Sequence, residues 1–356
     1  MKQYYKLIHI DTATPKAPDC AIMIIYTGGT LGMVYNEQQA LVPFDFQNIL
    51  DEVPSLKNFN LKISVASFNN LIDSSDVNPS HWDDIASLVE EYYDAYDGFI
   101  VIHGTDTMAY TASAISFMLE GLNKPVIFTG AQLPIGAARS DARENLITAI
   151  EIASQKLNQR PIVSEVCIYF DNLLLRANRA KKVESVQFDA FQSENYPVLA
   201  EAGIIIEYNF AALRPYQQDA ELKVRKNIQQ EVAILKVFPG ISKALVEGVL
   251  SIDGLKGLVI ETFGSGNAPT EKWFINALQK AINKGVLIMN VSQCMGGKVI
   301  QGRYQTSKDL QSIGVFSGSD ITTEAAITKM MYVISHAKTK ELQHNYLIKP
   351  LRGEME

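Results

Sequence analysis

Phe99-Ile100-Val101-Ile102-His103-Gly104-Thr105-Asp106-Thr107 is the stretch on which the reading of this chain turns. A β-type apolar run ends abruptly in a Gly-containing turn dense in hydroxyl and carboxylate groups, and a helical pattern follows at once from Met108 to Leu119. Strand, tight turn and helix in that order are the unit of an α/β sheet, and ligands bind just past the carboxyl ends of such strands. A second turn of the same kind, Tyr26-Thr27-Gly28-Gly29-Thr30, closes the first clear strand. Two threonine-rich turns at two strand ends suggest a hydroxyl nucleophile in an α/β crevice.

Working outward, strand-like runs alternate with amphipathic helical ones. Strands are expected at 21–26, 61–66, 98–102, 125–129 and 165–170, and helices at 81–96, 107–121 and 140–155. Ser140 is the expected N-cap of the last helix, with Asp141 and Glu144 in its first turn favouring the dipole. This alternation predicts parallel strands covered by helices on both faces. The pattern weakens over 208–229, a polar segment interrupted by Pro215, which reads as a linker. It resumes with strands at 232–237, 257–262 and 286–291 and helices at 242–250, 270–283 and 322–335. The expected organisation is an amino-terminal arm (1–20), a larger α/β domain (21–207), the linker, and a smaller α/β domain (230–356). At 356 residues two domains are the natural expectation.

Composition narrows the class. The chain is 47% hydrophobic and 20% charged, ordinary for a globular protein, and its net charge of −7 argues against a nucleic-acid binder. Cys20, Cys167 and Cys294 show neither CxxC nor metal-ligand spacing. The first two lie in or beside apolar runs and are expected to be buried thiols. An odd count gives no disulfide framework, which fits a reducing compartment. The first twenty residues lack the apolar core of a signal peptide, and the run 21–26 is too short to span a bilayer, which takes about 20 residues. A cytoplasmic protein without metal, cofactor, nucleic-acid or membrane partner is the expectation.

Three groups carry the chemistry. Thr30 follows two glycines that let the backbone turn sharply and approach a ligand; its hydroxyl could attack a carbonyl or simply cap the turn. Thr105 and Asp106 could form a hydroxyl with an orienting acid, or cap the following helix, and the two roles are compatible. Lys182, in Arg179-Ala180-Lys181-Lys182, is the candidate base, although an isolated lysine is more often a solvated surface group. An amine must be desolvated or placed near another cation to accept a proton at neutral pH, and a neighbouring Asp106 pushes the other way. Asp73-Ser74-Ser75-Asp76 could hold the amino and carboxylate ends of an amino acid, or be a self-bonded turn. The Phe263-Gly264-Ser265-Gly266 segment lacks a dinucleotide fingerprint, and no P-loop, HExxH or GxSxG occurs.

Taken together, Tyr26–Thr30, Asp73–Asp76, His103–Met108 and Lys182, in that order, resemble the four signatures of the bacterial-type L-asparaginases. Thr129-Gly130-Ala131-Gln132-Leu133-Pro134 and Ser292-Gln293-Cys294-Met295 are similar to the cytoplasmic type I branch. The resemblance implies a flavodoxin-like larger domain with a parallel sheet and a smaller carboxy-terminal α/β domain. It implies hydrolysis of L-asparagine to L-aspartate and ammonia, in homodimers, often paired into homotetramers, whose sites lie at subunit contacts. On that resemblance Thr30 is the first nucleophile, forming an acyl-enzyme. Thr105, Asp106 and Lys182 supply the second hydroxyl, its acid and its base. Ser74, Ser75 and Asp106 hold the substrate's ends, and the backbone at Ala131 helps bind its amide oxygen.

Three departures stand out. The lid tyrosine of the family aligns near Ala40 or Leu41, where none stands, leaving Tyr35 as the nearest candidate. The positions associated with a second, effector asparagine carry Lys181 and Glu261, in place of a threonine and an arginine, so that site is expected to be absent or altered. The arm before Ala21 is longer than the resemblance implies. A glutaminase-asparaginase of broader specificity is the nearest alternative, since Asn and Gln differ by one methylene, worth about 1–3 kcal/mol of discrimination. A tRNA-directed amidotransferase subunit would need a further nucleic-acid-binding module. A non-catalytic amino-acid sensor would have no use for a paired Thr, Asp and Lys, and a dinucleotide oxidoreductase lacks its glycines.

Overall fold

The computed structural model describes residues 4–10, 17–36, 38, 40–302 and 305–356. They divide into two compact units, Met1–Ser193 with Pro197–Val224, and Glu194–Tyr196 with Arg225–Glu356.

The first unit is built on a nine-stranded sheet. In chain order its strands are β1 (Tyr5–Ile10), β2 (Cys20–Tyr26), β3 (Leu61–Phe68), β4 (Gly98–Ile102), β5 (Val126–Thr129), β6 (Val166–Phe170), β7 (Leu173–Arg176), β8 (Ala200–Ala202) and β9 (Ile206–Tyr208). Their spatial order is β1-β3-β2-β4-β5-β6-β7-β8-β9. The run from β3 to β6 is parallel throughout. Numbered among themselves, those strands stand in the order 2-1-3-4-5, the flavodoxin-like arrangement, in which the winding reverses between the first and third strands, here β2 and β4. Every residue of β4 is buried, as a strand covered by helices on both faces requires. The flanking strands β1, β7, β8 and β9 are antiparallel, so the sheet is mixed at both edges.

Three long helices lie in the connections between the parallel strands: α1 (Pro79–Tyr92), α2 (Met108–Met118) and α3 (Ala142–Ser154). Helix α1 starts where Asn78 accepts from the Ser80 amide and Pro79 takes the first position, where no N–H is needed. Its Trp82, Ile85, Ala86, Leu88 and Val89 form one buried stripe, and the Trp82 indole donates to Thr111 of α2 at 3.1 Å.

The departures from the sequence reading have local causes. The first core strand is preceded by a further strand: Tyr5–Ile10, assigned to the arm, pairs with β3 from Tyr5↔Phe68 to Ile10↔Ile63. The helix expected over 107–121 stops at Met118 because Leu119–Glu120 turns into a short strand paired with Lys223–Val224. That pairing, together with the Asn123 side chain bonded to the Gln217 carbonyl and amide, ties most of the 208–229 segment to the first unit, as far as Val224. The helix expected at 81–96 runs earlier, from Pro79 to Tyr92. Helix α3 begins at Ala142 with Asp141 in the cap position, yet the Ser140 hydroxyl accepts from the Ala142 amide at 3.0 Å.

The second unit carries a four-stranded sheet in the order β10 (Val232–Lys236), β11 (Gly257–Thr262), β12 (Leu287–Ser292), β13 (Phe316–Ser317), parallel throughout. Helices α4 (Lys243–Leu250), α5 (Lys272–Asn283), α6 (Thr323–His336) and α7 (Lys340–Ile348) accompany it, with Ser242 capping α4 and Thr322 capping α6. Leu235, Leu258, Ile260, Phe274, Leu278 and Ile288 form its core. Below the surface Lys329 of α6 meets Glu354 at 2.6 Å, both side chains fully buried. No helix among the described residues is long and apolar enough to cross a membrane.

Candidate active site

The loops leaving β2 and β4 face each other where the winding reverses, and glycine makes that approach possible. A Cβ on Gly29 would lie 2.6 Å from the Gly104 amide nitrogen, and one on Gly28 would lie 2.3 Å from the Ile72 carbonyl oxygen. Both glycines have positive φ, 91° and 136°, so an L side chain there is strained as well as obstructed. Three backbone stretches, 27–30, 71–74 and 103–106, therefore come together, the 27–30 turn meeting the other two backbone to backbone. The Thr27 amide donates to the Ile102 carbonyl, and the Ile72 amide donates to the Thr27 carbonyl at 2.8 Å. Tyr26, buried under the first turn, donates its hydroxyl to the Gly32 carbonyl at 2.7 Å.

These stretches wall a cleft of about 380 Å³ lined by Gly29, Thr30, Ser74, Gly104, Thr105 and Asp106, with Asp73, Leu71 and Ile72 on one side and Met33 and Pro43 on another. Thr30 opens a short 3-10 turn and is partly exposed to the cleft. The Lys182 amine reaches the same place from the hairpin Lys181–Lys182/Phe191–Gln192. It donates to Thr105 Oγ1 at 2.7 Å and to Asp106 Oδ1 at 2.7 Å. The Lys182 side chain is 17% exposed and that of Asp106 68%. A pair so open to water contributes about 0–1 kcal/mol to stability, so its consequence is chemical. Thr105 also donates to Gln132 Oε1 at 3.5 Å, which points its proton away from the amine.

Four of the expected residues, Thr30, Ser74, Thr105 and Asp106, thus line one cleft, and Lys182 touches two of them. The others stand apart from its lining. Ser75 is exposed and gives its hydroxyl and amide to the Asp73 carboxylate at 2.8 and 2.9 Å, the self-bonded turn. Those bonds hold the Asp73 carboxyl below its usual range. Ala131 is buried just beyond β5, beside Gly130, where a Cβ would meet the His103 carbonyl at 2.5 Å. Tyr35 is half exposed and ends the first strand of the hairpin Met33–Tyr35/Leu41–Pro43, whose other end supplies Met33 and Pro43 to the cleft. In the second unit, Glu261 accepts from the Thr323 hydroxyl at 2.6 Å.

Several groups carry the site without having been singled out. Asp141, read as a charge for the helix dipole, instead accepts from the Gln132 and Leu133 amides at 2.9 and 3.0 Å. Gln132 in turn donates to the Gln187 carbonyl at 2.9 Å, in the loop of the hairpin that carries Lys182. His103 is buried, and its Nδ1 lies 2.7 Å from the Gly104 carbonyl. A carbonyl only accepts, so that nitrogen bears the proton. Burial pushes the imidazole down to about 4, and the ring is an uncharged brace for the turn. For His103 and Gln132 the one signal was nearness to a strand end, and for Asp141 it was the start of a helix. No group of three or more His, Cys, Asp or Glu among the described residues is arranged to hold a metal. Cys20 and Cys167 are buried free thiols and Cys294 is exposed.

A doubly wound sheet with hydroxyl, amine and carboxylate groups gathered at its reversal point defines an α/β enzyme of hydrolytic type. Residues 21–214 match the family model "Asparaginase, N-terminal", and residues 231–347 match "Glutaminase/Asparaginase C-terminal domain". The chain is 41% identical over 337 residues to L-asparaginase 1 of Escherichia coli K12, covering 94% of this chain and 98% of the relative. It is 38% identical to the human 60 kDa lysophospholipase, covering 95% of this chain and 62% of that protein. The structure of L-asparaginase I from Vibrio cholerae superposes with a TM-score of 0.84 at 37% identity, covering 95% of this chain and 99% of that one. The chain belongs to the asparaginase family.

Proposed function

We propose that the chain hydrolyses L-asparagine to L-aspartate and ammonia as an amidohydrolase. The observation that carries this reading is the Lys182 amine shared between the Thr105 hydroxyl and the Asp106 carboxylate on the wall of the cleft that Thr30 enters. The chain's likeness to E. coli L-asparaginase 1 supplies the substrate.

In the proposed cycle the Thr30 hydroxyl oxygen attacks the side-chain amide carbon of the substrate. The C–N bond breaks, the nitrogen leaves as ammonia with the threonine proton, and an ester to Thr30 remains. Water then attacks the ester, giving one proton through Thr105 to Lys182; the acyl C–O bond breaks, the proton returns from Lys182 through Thr105 to the departing Thr30 oxygen, restoring its hydroxyl, and the acid product leaves and ionises to aspartate. Lys182 accepts the water's proton as the free amine, having first released its own to solvent, and Asp106 orients it. The Ala131 backbone polarises the amide oxygen, and preorganised donors of that kind are a large catalytic term. Ser74, Ser75 and Asp106 take the amino and carboxylate ends of the substrate. Because Ser75 is bonded to Asp73, its share requires that contact to open. We extend the reading to a cytoplasmic enzyme assembled as a homodimer or homotetramer, with Tyr35 the lid candidate.

The test is ammonia release from asparagine and glutamine by the parent chain and by Thr30→Ala, Thr105→Val and Lys182→Met. Each variant is expected to lose turnover on the order of 10³-fold while keeping the parent's thermal transition. Near-parent turnover in a folded variant removes that residue from the mechanism. A parent that binds asparagine without releasing ammonia is a sensor and not a hydrolase.

A further inference from the structure

The amino-terminal strand lies ahead of the part matched by the family model, which begins at residue 21. Its pairing with β3 runs to the Tyr5↔Phe68 pair. One residue further, the Asn69 amide donates to the Tyr4 carbonyl at 2.9 Å. At that point β3 ends and the loop that carries Ser74 into the cleft begins. The same Tyr4 donates its hydroxyl to the Asp84 carbonyl at 3.0 Å, in α1, the helix into which that loop runs. Its ring packs edge-on against Phe68, with centroids 5.7 Å apart. Beside it the Tyr5 hydroxyl reaches Glu91 and Tyr92, at the far end of α1. Tyr4 therefore spans the exit of β3 and the first turns of α1, bracketing the loop between them.

The loop needs such a bracket. Leu71, Ile72 and Asp73 wall the cleft on one side and a second cavity of about 500 Å³ on the other, which Tyr4 and Phe68 also line. Behind this wall lies a cavity rather than packed side chains, so its position depends on polar ties. One is the Ile72 amide on the Thr27 carbonyl and another is the Thr107 hydroxyl on the Ser74 carbonyl, at 2.6 Å. The amino-terminal strand holds the two ends.

We propose that the amino-terminal strand, through Tyr4, is a positioning element of the active site that fixes the Leu71–Ser74 wall and with it the substrate's seat. This rests on the reading of Ser74 as a substrate contact. Tyr4 touches no reacting atom, and its effect is expected in binding more than in turnover.

The experiment uses the full chain with Tyr4→Ala, Tyr4→Phe and Ile8→Asp, the last placing a charge at a buried position of β1, and Val246→Ala in the second unit as a control for loss of stability alone. Hydrogen exchange over 69–78 and steady-state kinetics with asparagine are measured. Tyr4→Ala and Ile8→Asp are expected to speed exchange across that loop and to raise KM about tenfold with kcat within about threefold of the parent. Tyr4→Phe, which keeps the ring contact, should lie between, and Val246→Ala should change neither readout. Unchanged exchange and KM in Tyr4→Phe and in whichever of the other two variants folds overturn the proposal. Exchange is read without substrate, so it decides this point even if the parent proves inactive on asparagine.

Discussion

Replacing Gly29 by alanine separates the geometry of the site from the stability of the fold. The added Cβ would sit 2.6 Å from the Gly104 nitrogen, 2.7 Å from its Cα and 2.9 Å from the His103 carbonyl carbon, all backbone atoms that no rotamer change can clear. Reaching ordinary contact at 3.4 Å means parting the two turns by about 0.8 Å, the difference between 3.4 and the 2.6 Å available. Thr30 follows directly on one turn and Thr105 on the other. A misplacement of about 1 Å in a catalytic array costs on the order of 100-fold in rate, so kcat should fall by about that factor. A second cost arises because φ is +91° and ψ 167° at Gly29, a region essentially reserved for glycine that burdens an L residue by roughly 1–3 kcal/mol. Gly240→Ala carries a positive-φ cost without the obstruction: its φ is +86° and nothing lies within 4 Å of the added atom. Both variants should lose stability in urea unfolding, and only Gly29→Ala should lose turnover in the ammonia assay. Gly29→Ala with a kcat within about threefold of the parent would refute the claim that close approach of the two turns sets the catalytic geometry.

The remaining predictions concern buried charge. His103 is neutral in the folded state because burial pushes it down to about 4, below the ordinary value of 6.5. As pH falls through 6.5 the unfolded chain takes up a proton that the folded chain refuses, so stability is full above 6.5 and is lost between there and about 4. The loss is at most about 3–4 kcal/mol, from about 1.4 kcal/mol for each pH unit between 6.5 and about 4. Thermal midpoints between pH 7 and 4.5 should therefore drop more steeply in the parent than in His103→Gln, and parallel profiles would contradict the assignment. Lys329→Met strands Glu354, whose carboxylate otherwise accepts from the Leu351 and Arg352 amides among the described residues. An uncompensated buried charge costs about 3–5 kcal/mol, and Lys329→Met/Glu354→Gln should recover part of that in urea titrations. A loss under about 1 kcal/mol in the single variant would mean that the pair is not dry.

How much of this was legible depended on whether the information was local. The strands carrying Thr30 and Thr105 were readable because their runs, Cys20–Tyr26 and Gly98–Ile102, are apolar on both faces and end in glycine turns. The helices expected from 242 and from 322 were readable as local patterns too, and in each the first expected residue proves to cap the helix by bonding an amide three residues on. Strand β1 was not. Tyr5-Lys6-Leu7-Ile8-His9-Ile10 mixes polar and apolar positions because, as an edge strand, it buries only part of its surface, and its partner is more than fifty residues away. The 208–229 segment misled for a related reason. Its polar composition fits a linker, but Asn123 and Leu119–Glu120 reach it from a distant part of the chain. Asp141 could be placed at a helix start from sequence, but only the fold shows that its carboxylate faces the Gln132 and Leu133 amides.

The same distinction bears on the site itself. Thr30 and Thr105 lie 75 positions apart, yet what joins them is the parallel pairing of β2 with β4, in register from Ile22↔Gly98 to Tyr26↔Ile102. A parallel register aligns equivalent strand ends, so two turns leaving adjacent strands at matched positions must emerge side by side. The glycines then decide how near they come, since Gly29 and Gly104 are in backbone contact. Lys182 has no such register to place it and comes from a two-residue hairpin strand. It is held instead by what it bonds and by Gln132, which links Thr105 to the loop of that hairpin. The hydroxyls are thus set by the sheet and the amine by polar contacts, which makes the amine the member of the centre most able to shift while the two threonines stay fixed.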